Sequence, residues 1–160
     1  MKYVVNSDSQ CGCVFCVRAD EEPSPDNGVL ARARHNFLIL NAFPYNSGHL
    51  LVVPYAHQHD FTCVEPEALH ELVVLTQVAV SVLQQVFRCE GANVGMNIGK
   101  AAGAGIKDHL HMHIVPRWSG DTNFMTALAE TRVVPESLES SWDRLALPLQ
   151  QALAQVLPDA

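Results

Sequence analysis

The sequence predicts an α+β domain, in which an antiparallel sheet and a long helix are built by separate stretches of the chain. Three observations predict it. Short apolar runs of strand character fall at 29–34, 36–41, 50–54, 94–98 and 109–115, separated by Gly, Pro, Asn and Ser. Pro66 to Phe87 instead places its apolar residues at helical spacing, and a second helical pattern closes the chain. At 160 residues the chain has the length of one domain able to bury a real core.

The first residues, Met1-Lys2-Tyr3-Val4-Val5, run straight into polar ones, so no signal peptide is expected. Later apolar stretches look too short or too interrupted to cross a bilayer. A soluble, cytoplasmic protein is the expectation. Five cysteines in such a chain favour a metal or free thiols over a disulfide framework. Cys11-Gly12-Cys13-Val14-Phe15-Cys16 holds one Cys-x-x-Cys, Cys13 to Cys16, the spacing that lets two thiolates reach one tetrahedral zinc. Cys11 is read as a bystander. A redox Cys-x-x-Cys belongs between a strand and a helix in a thioredoxin-like pattern, which this N-terminus does not display. Two thiolates do not close a zinc site, and the missing ligands must be histidines from elsewhere.

Asp20 to Gly28 is acidic, proline-rich and closed by glycine, the character of a solvated connector. Val29–Arg34 and Asn36–Asn41 then read as two strands, the second carrying Phe37-Leu38-Ile39-Leu40. A turn through Pro44-Tyr45-Asn46-Ser47-Gly48 leads to a third, Leu50–Pro54, completing a meander. In the long helix, Leu69, Leu72, Val73, Ala79, Val80, Leu83, Val86 and Phe87 mark the apolar face, with Pro66 suited to the first turn and Gly91 read as the stop. Val94, Met96 and Ile98 alternate as the next strand. Gly99 to Asp108 is a loop of small residues, of the kind that lets backbone approach a phosphate closely. Leu138, Trp142, Leu145, Leu149, Leu153 and Val156 mark the C-terminal helix, which Pro148 is expected to interrupt. It is read as a packing or dimer element. Its acidic residues Glu136, Glu139 and Asp143 argue against a membrane anchor, which wants a basic face.

The run Asp108-His109-Leu110-His111-Met112-His113-Ile114-Val115-Pro116-Arg117-Trp118 carries the chemistry. Alternate residues of a strand share a face, so His109, His111 and His113 are expected on one side and Leu110, Met112 and Ile114 on the core side. Packing seldom needs alternating histidines on one face, although such a stripe can also chelate a metal. A neutral imidazole is a good nucleophile at pH 7, and attack by histidine on phosphorus splits group transfer into two steps through a covalent intermediate. The formal charge of −7, with only ten Lys and Arg, argues against a groove for a nucleic-acid polymer. A small anion held by local amides and a few cations is compatible with that charge.

This run resembles the histidine triad (HIT) superfamily, whose signature is His-x-His-x-His followed by two apolar residues, here His109 through Val115. The likeness extends to Asn97-Ile98-Gly99 upstream, to Asn46-Ser47-Gly48-His49-Leu50-Leu51-Val52-Val53-Pro54, and to Pro116-Arg117-Trp118-Ser119-Gly120-Asp121-Thr122-Asn123-Phe124-Met125 downstream. It covers roughly 11–125 of a single 1–160 domain, leaving 126–160 as a helical extension. The downstream run is most similar to the branch containing bacterial diadenosine tetraphosphate (AP-4-A) phosphorylases.

The resemblance implies a sheet of about five strands with one long helix, paired into a homodimer. It implies phosphorolysis or hydrolysis of a dinucleoside polyphosphate, with a purine nucleoside phosphoramidase, a general nucleotide hydrolase or a non-catalytic nucleotide sensor as alternatives. His111 is implied as the nucleophile that forms a nucleotidyl-histidine, and His113 as a donor to phosphate oxygens. Asn41 and His49 fall where the family contacts the nucleoside or shapes its pocket; a strand end and a hydrogen-bonded core histidine are the other reading of these two. Asn97, Lys100, Gly105 and Lys107 fall in or beside the phosphate loop. Many family members carry Gln or Gln-Ser there, where this chain has Gly105-Ile106-Lys107. A structural zinc is implied on Cys13, Cys16, His57 and His109, with His59 competing for the place of His57, and His109 orienting the site as that ligand or through its backbone. The base, the polyphosphate length and the choice of water or phosphate as acceptor stay open.

Overall fold

The structure, a computed structural model, describes residues 12–121 and 135–158. Cys11 and the stretch Thr122 to Met125 lie outside the described residues. Helix α1, Val14–Ala19, comes first. The strands β1, Val29–Arg32, β2, Asn36–Leu40, and β3, Leu50–Pro54, form the meander. Helix α2, Pro66–Phe87, then precedes β4, Gly91–Gly95, and β5, Met112–Arg117. Helix α3, Leu138–Val156, closes the described chain. The strands make one antiparallel five-stranded sheet in the order β1-β2-β3-β5-β4.

Opposed residues of an antiparallel pair point to the same face, so the register sorts the side chains. Val29 lies opposite Ile39, Ile39 opposite Leu51, and Leu51 opposite His113. Their face carries a small core of Phe15, Ala19, Val29, Phe37, Ile39, Leu51 and Val53, covered by α1. Leu40, Leu50 and Ile114 form a neighbouring row on the other face, against α2 and α3. Each face of the middle strands is therefore covered, which is why β2 and β3 are buried along their whole length.

Several expectations need correction. The long helix ends with Arg88 in the left-handed region at φ 54°, three residues before Gly91, which instead begins β4. Met96 and Ile98 lie beyond that strand, since β4 ends at Gly95 opposite His113. His109 and His111 precede β5, although both side chains stay on the α1 side, against Phe15. Pro148 does not interrupt α3, which runs on through it. Proline removes one donor and leaves the carbonyl of Arg144 without its helical bond, a loss this helix tolerates while Leu145, Leu149 and Leu153 are buried on either side. The expectation that the later apolar stretches are too short or too interrupted for a bilayer also fails for α2, whose 22 residues and mean hydropathy of 1.3 meet that length and composition. Its buried side chains, Leu72, Leu75, Ala79 and Leu83 among them, are taken up by the sheet and α3.

Two details fix the turns of the meander against α2. Glu71, a buried acid on α2, accepts from the backbone N–H groups of Arg34 and His35 and from Asn36 Nδ2, so the β1–β2 turn is pinned to the helix. Gly48 sits at φ 76°, and a Cβ there would meet Leu83 Cδ2 and Phe87 Cε2 at 3.1 Å. Only glycine lets the turn before His49 pass this close to α2.

Candidate active site and metal centre

The three triad histidines hold different hydrogen-bond partners, and these decide which ring nitrogen carries the proton. His111 Nδ1 lies 2.8 Å from the carbonyl oxygen of His109. A carbonyl only accepts, so Nδ1 donates and Nε2 keeps the lone pair. His109 Nε2 lies 2.9 Å from the Pro54 carbonyl, which by the same logic leaves its Nδ1 as the lone-pair nitrogen.

His113 is set by a relay. The Tyr45 backbone N–H donates to His49 Nδ1 at 3.1 Å, so His49 carries its proton on Nε2. That Nε2 donates to His113 Nδ1 at 3.1 Å, which puts the His113 proton on Nε2. Asn41 Oδ1 accepts from the Phe43 N–H, which turns its Nδ2 onto the His49 ring, 3.3 and 3.4 Å from the two nitrogens. The His111 and His113 rings stand 4.8 Å apart between centroids. One ring therefore has a lone pair on Nε2 and its neighbour an N–H.

Burial keeps the set neutral. It is the main cause bringing His49 down to about 3, helped by His113 and His111, and bringing His113 down to about 4, helped by His111. Burial also brings His109 down to about 4 against the bond to Pro54, and holds His111 below its ordinary value against the bond to His109. Near pH 7 all four are neutral imidazoles, the form a nucleophile and a neutral donor need.

His111 and His113 line a cavity of about 400 Å³. Its walls are Phe15, Ile39 and Leu51 from the core face, with Asn41, Asn97 and Gly105 among the residues expected at the site. His49 is not in the lining: it is 1% exposed and acts behind His113. Lys100 and Lys107 are exposed and outside the lining, Lys107 lying 3.9 Å from Asp108. Sequence reasoning missed Phe15, Arg18 and the stretch Pro25 to Gly28, all of which line the cavity. The last belongs to the segment read as a solvated connector. Asn27 folds it back, accepting from the Ser24 and Val29 N–H groups and donating to the Glu22 carbonyl, and Asn27-Gly28 was the turn signal available.

A second cluster lies under the triad. Cys13 and Cys16 flank Phe15 at the start of α1, and their Sγ atoms meet His109 Nδ1 at 3.3 and 3.6 Å. His57 Nδ1 lies 3.2 Å from Cys16 Sγ, and the four donor atoms all fall within 4.8 Å of one another. A tetrahedral zinc, with Zn–S of about 2.3 Å and Zn–N of about 2.0 Å, spaces its donors roughly 3.3 to 3.8 Å apart. The donor set and spacing fit zinc. His59 is not in this group. His109 Nε2–H on the Pro54 carbonyl is the outer contact that orients a ligating imidazole. Burial, then the Cys13 thiol beside it, push the Cys16 thiol up to about 11, so a cation must displace a proton to bind there.

The family model described as "HIT domain" matches residues 23–120. The chain belongs to the HIT family. An HIT relative named AP-4-A phosphorylase, from Mycobacterium tuberculosis, is 42% identical over 118 residues, covering 74% of this chain and 60% of that protein. The chain thus spans less than two thirds of the length of that relative. An uncharacterized 16.1 kDa HIT-like protein from Mycoplasma pneumoniae is 30% identical over 83% of this chain and 89% of its own length. The crystal structure of a Zn-bound histidine triad family protein from Mycobacterium smegmatis superposes with a TM-score of 0.69 at 28% identity, covering 95% of this chain and all of that one.

Proposed function

We propose that this HIT protein transfers a nucleotidyl group from a dinucleoside polyphosphate, with diadenosine tetraphosphate as the favoured substrate and phosphate as the favoured acceptor. One observation carries the reading: His111, with its lone pair on Nε2, and His113, with its proton on Nε2, line one cavity with their rings 4.8 Å apart between centroids. The likeness to the AP-4-A phosphorylase supports the substrate class.

In the first step His111 Nε2 attacks the α-phosphorus, a P–N bond forms, and the bond from that phosphorus to the bridging oxygen breaks. ATP leaves from the tetraphosphate. His113 donates a hydrogen bond to the oxygens on which charge grows, and the His109 carbonyl holds the His111 Nδ1 proton as that ring becomes cationic. In the second step a phosphate oxygen attacks the same phosphorus, the P–N electrons return to His111, and ADP is released. Zinc on Cys13, Cys16, His57 and His109 belongs to this reading as a structural ion, since four protein donors leave no open position for a bound water. So does pairing of two chains, which sedimentation would test.

The deciding assay incubates the protein with diadenosine tetraphosphate with and without phosphate, separating AMP, ADP and ATP. ADP and ATP in equal amounts, formed only with phosphate, are expected. Identical products in both arms would make water the acceptor, and no turnover in either would leave a nucleotide binder.

A further inference from the structure

We infer that Phe15 is a positioning residue through which metal held by Cys13, Cys16, His57 and His109 tightens nucleotide binding in the neighbouring cavity, so that the two ligands bind cooperatively. The inference rests on the cavity being the nucleotide site and the cluster a zinc site, as proposed above.

Phe15 sits between the two cysteines in sequence, and Cys13 immediately precedes the helix. Its ring is 4% exposed, stands edge-on to His109 at 5.4 Å and 77°, and tilts against His111 at 5.0 Å. The same ring forms part of the cavity wall beside Ile39 and Leu51. One side chain thus touches a metal-donor histidine, the nucleophile and the space a nucleoside would fill.

What holds that ring in place divides along α1. Six residues are too few for a helix to persist alone, so its position comes from the packing of Phe15 and Ala19 on the sheet and from its polar tethers. At the C-terminal end the Arg32 guanidinium donates to the carbonyls of Ala19 and Glu21, and Ala19 is buried. At the N-terminal end the polar tethers among the described residues are the contacts of Cys13 and Cys16 with His57 and His109. Phe15 lies at this second end. Metal at the four donors would draw α1 onto the triad and fix the aromatic wall, whereas its removal would release the N-terminal end and leave the Arg32 tether intact. Coupling between two ligands is reciprocal, so nucleotide must then strengthen metal binding by the factor with which metal strengthens nucleotide binding.

The test uses the full chain, with AMP and zinc as probes. Calorimetry should find AMP about tenfold weaker after chelation, in the range usual for coupled sites, with the far-UV circular dichroism unchanged. Competition with a chromophoric chelator should find zinc about tenfold tighter in saturating AMP. Phe15→Ala and the volume-conserving Phe15→Leu should keep one zinc per chain while the coupling factor falls toward one, which a merely structural role would not produce. Equal AMP affinity with and without zinc would overturn the inference and leave the zinc site standing. Undiminished coupling in both Phe15 variants would overturn the route through this ring. Unfolding on chelation would overturn it as well, because the metal would then hold the whole fold. Failure of the wild type to bind zinc, or of the zinc-loaded protein to bind AMP, would remove the metal or the nucleotide reading respectively, and this inference with it.

Discussion

His111 donates its Nδ1 proton to the backbone carbonyl of His109, 2.8 Å away. His109 thereby serves the site twice, because its own side chain turns Nδ1 toward Cys13 and Cys16 while its main chain selects the tautomer of the neighbouring imidazole. Of the two ways His109 was expected to orient the site, as ligand or through its backbone, the geometry provides for both.

With Nδ1 committed, the reactivity of His111 lies in Nε2. His111→Asn should lower turnover of diadenosine tetraphosphate by at least about a thousandfold, as expected when the nucleophile of a covalent mechanism is removed. AMP affinity should change little, because an amide preserves polarity and most of the shape. The wild type should trap an acid-labile, base-stable phosphoramidate with a slow substrate, and the variant should not. Near-normal turnover by the variant would remove His111 from the mechanism.

His49 acts on His113 from outside the cavity. His49→Phe removes the donor to His113 Nδ1 and the acceptor of the Tyr45 N–H, two part-buried hydrogen bonds whose loss costs about 1 to 3 kcal/mol. With the His113 tautomer released, kcat should fall about a hundredfold with little change in KM. His49→Gln can donate through its amide nitrogen and accept through its oxygen, so it should recover part of kcat. Equal kcat in the wild type and His49→Phe would show that the relay is not needed.

Acid should unfold this protein through the same pair. His49 is brought down to about 3 and His113 to about 4, against about 6.5 in the unfolded chain. Below about pH 6.5 the unfolded state binds protons that the folded state refuses, so stability falls as pH falls. The loss continues until the folded values are reached, at up to about 1.4 kcal/mol per pH unit for each histidine. Urea melts between pH 7.5 and 4.5 should show a steepening decline, and His49→Gln should flatten it.

Cys13→Ser should bind no zinc and melt at a lower temperature than the zinc-loaded wild type, which should carry about one ion per chain by elemental analysis. His57→Ala should do the same and His59→Ala should not, since only His57 joins the four donors. Unchanged melting of the wild type after chelation would make the cysteines ordinary thiols.

Gly48→Ala should destabilise the fold by about 1 to 3 kcal/mol, combining a left-handed backbone with a Cβ pressed against Leu83 and Phe87. Activity should fall further than stability alone requires, because His49 is the next residue. Denaturant unfolding and steady-state kinetics on the same preparation would separate the two effects.

The sequence by itself determined the elements and the chemistry they carry. Periodicity marked the meander and the long helix, because burial of one face writes a period of 2 or 3.6 into the apolar residues. The alternation of His109, His111 and His113 marked a reactive face, and the spacing of Cys13 and Cys16 marked a pair of thiols aimed at one point. Local pattern misled where tertiary packing decided. Gly91 looked like a helix stop, yet Arg88 took the left-handed position, and Pro148 looked like a break in a helix that continues through it.

Only the tertiary structure decided which proton sits where. The carbonyls of Pro54 and His109, the N–H of Tyr45 and the ring of His49 set the three triad tautomers, and main-chain groups leave no signature in side-chain identity. It also brought Asn27 and Phe15 to the cavity and chose His57 over His59 for the four-donor cluster. Apart from the His109–His111 and Tyr45–His49 contacts, these join residues far apart in the chain, brought together when register sets Leu51 opposite His113 and when α1 folds across that face. Composition and spacing describe neighbours along the chain, whereas tautomer, cavity wall and donor geometry belong to neighbours in space.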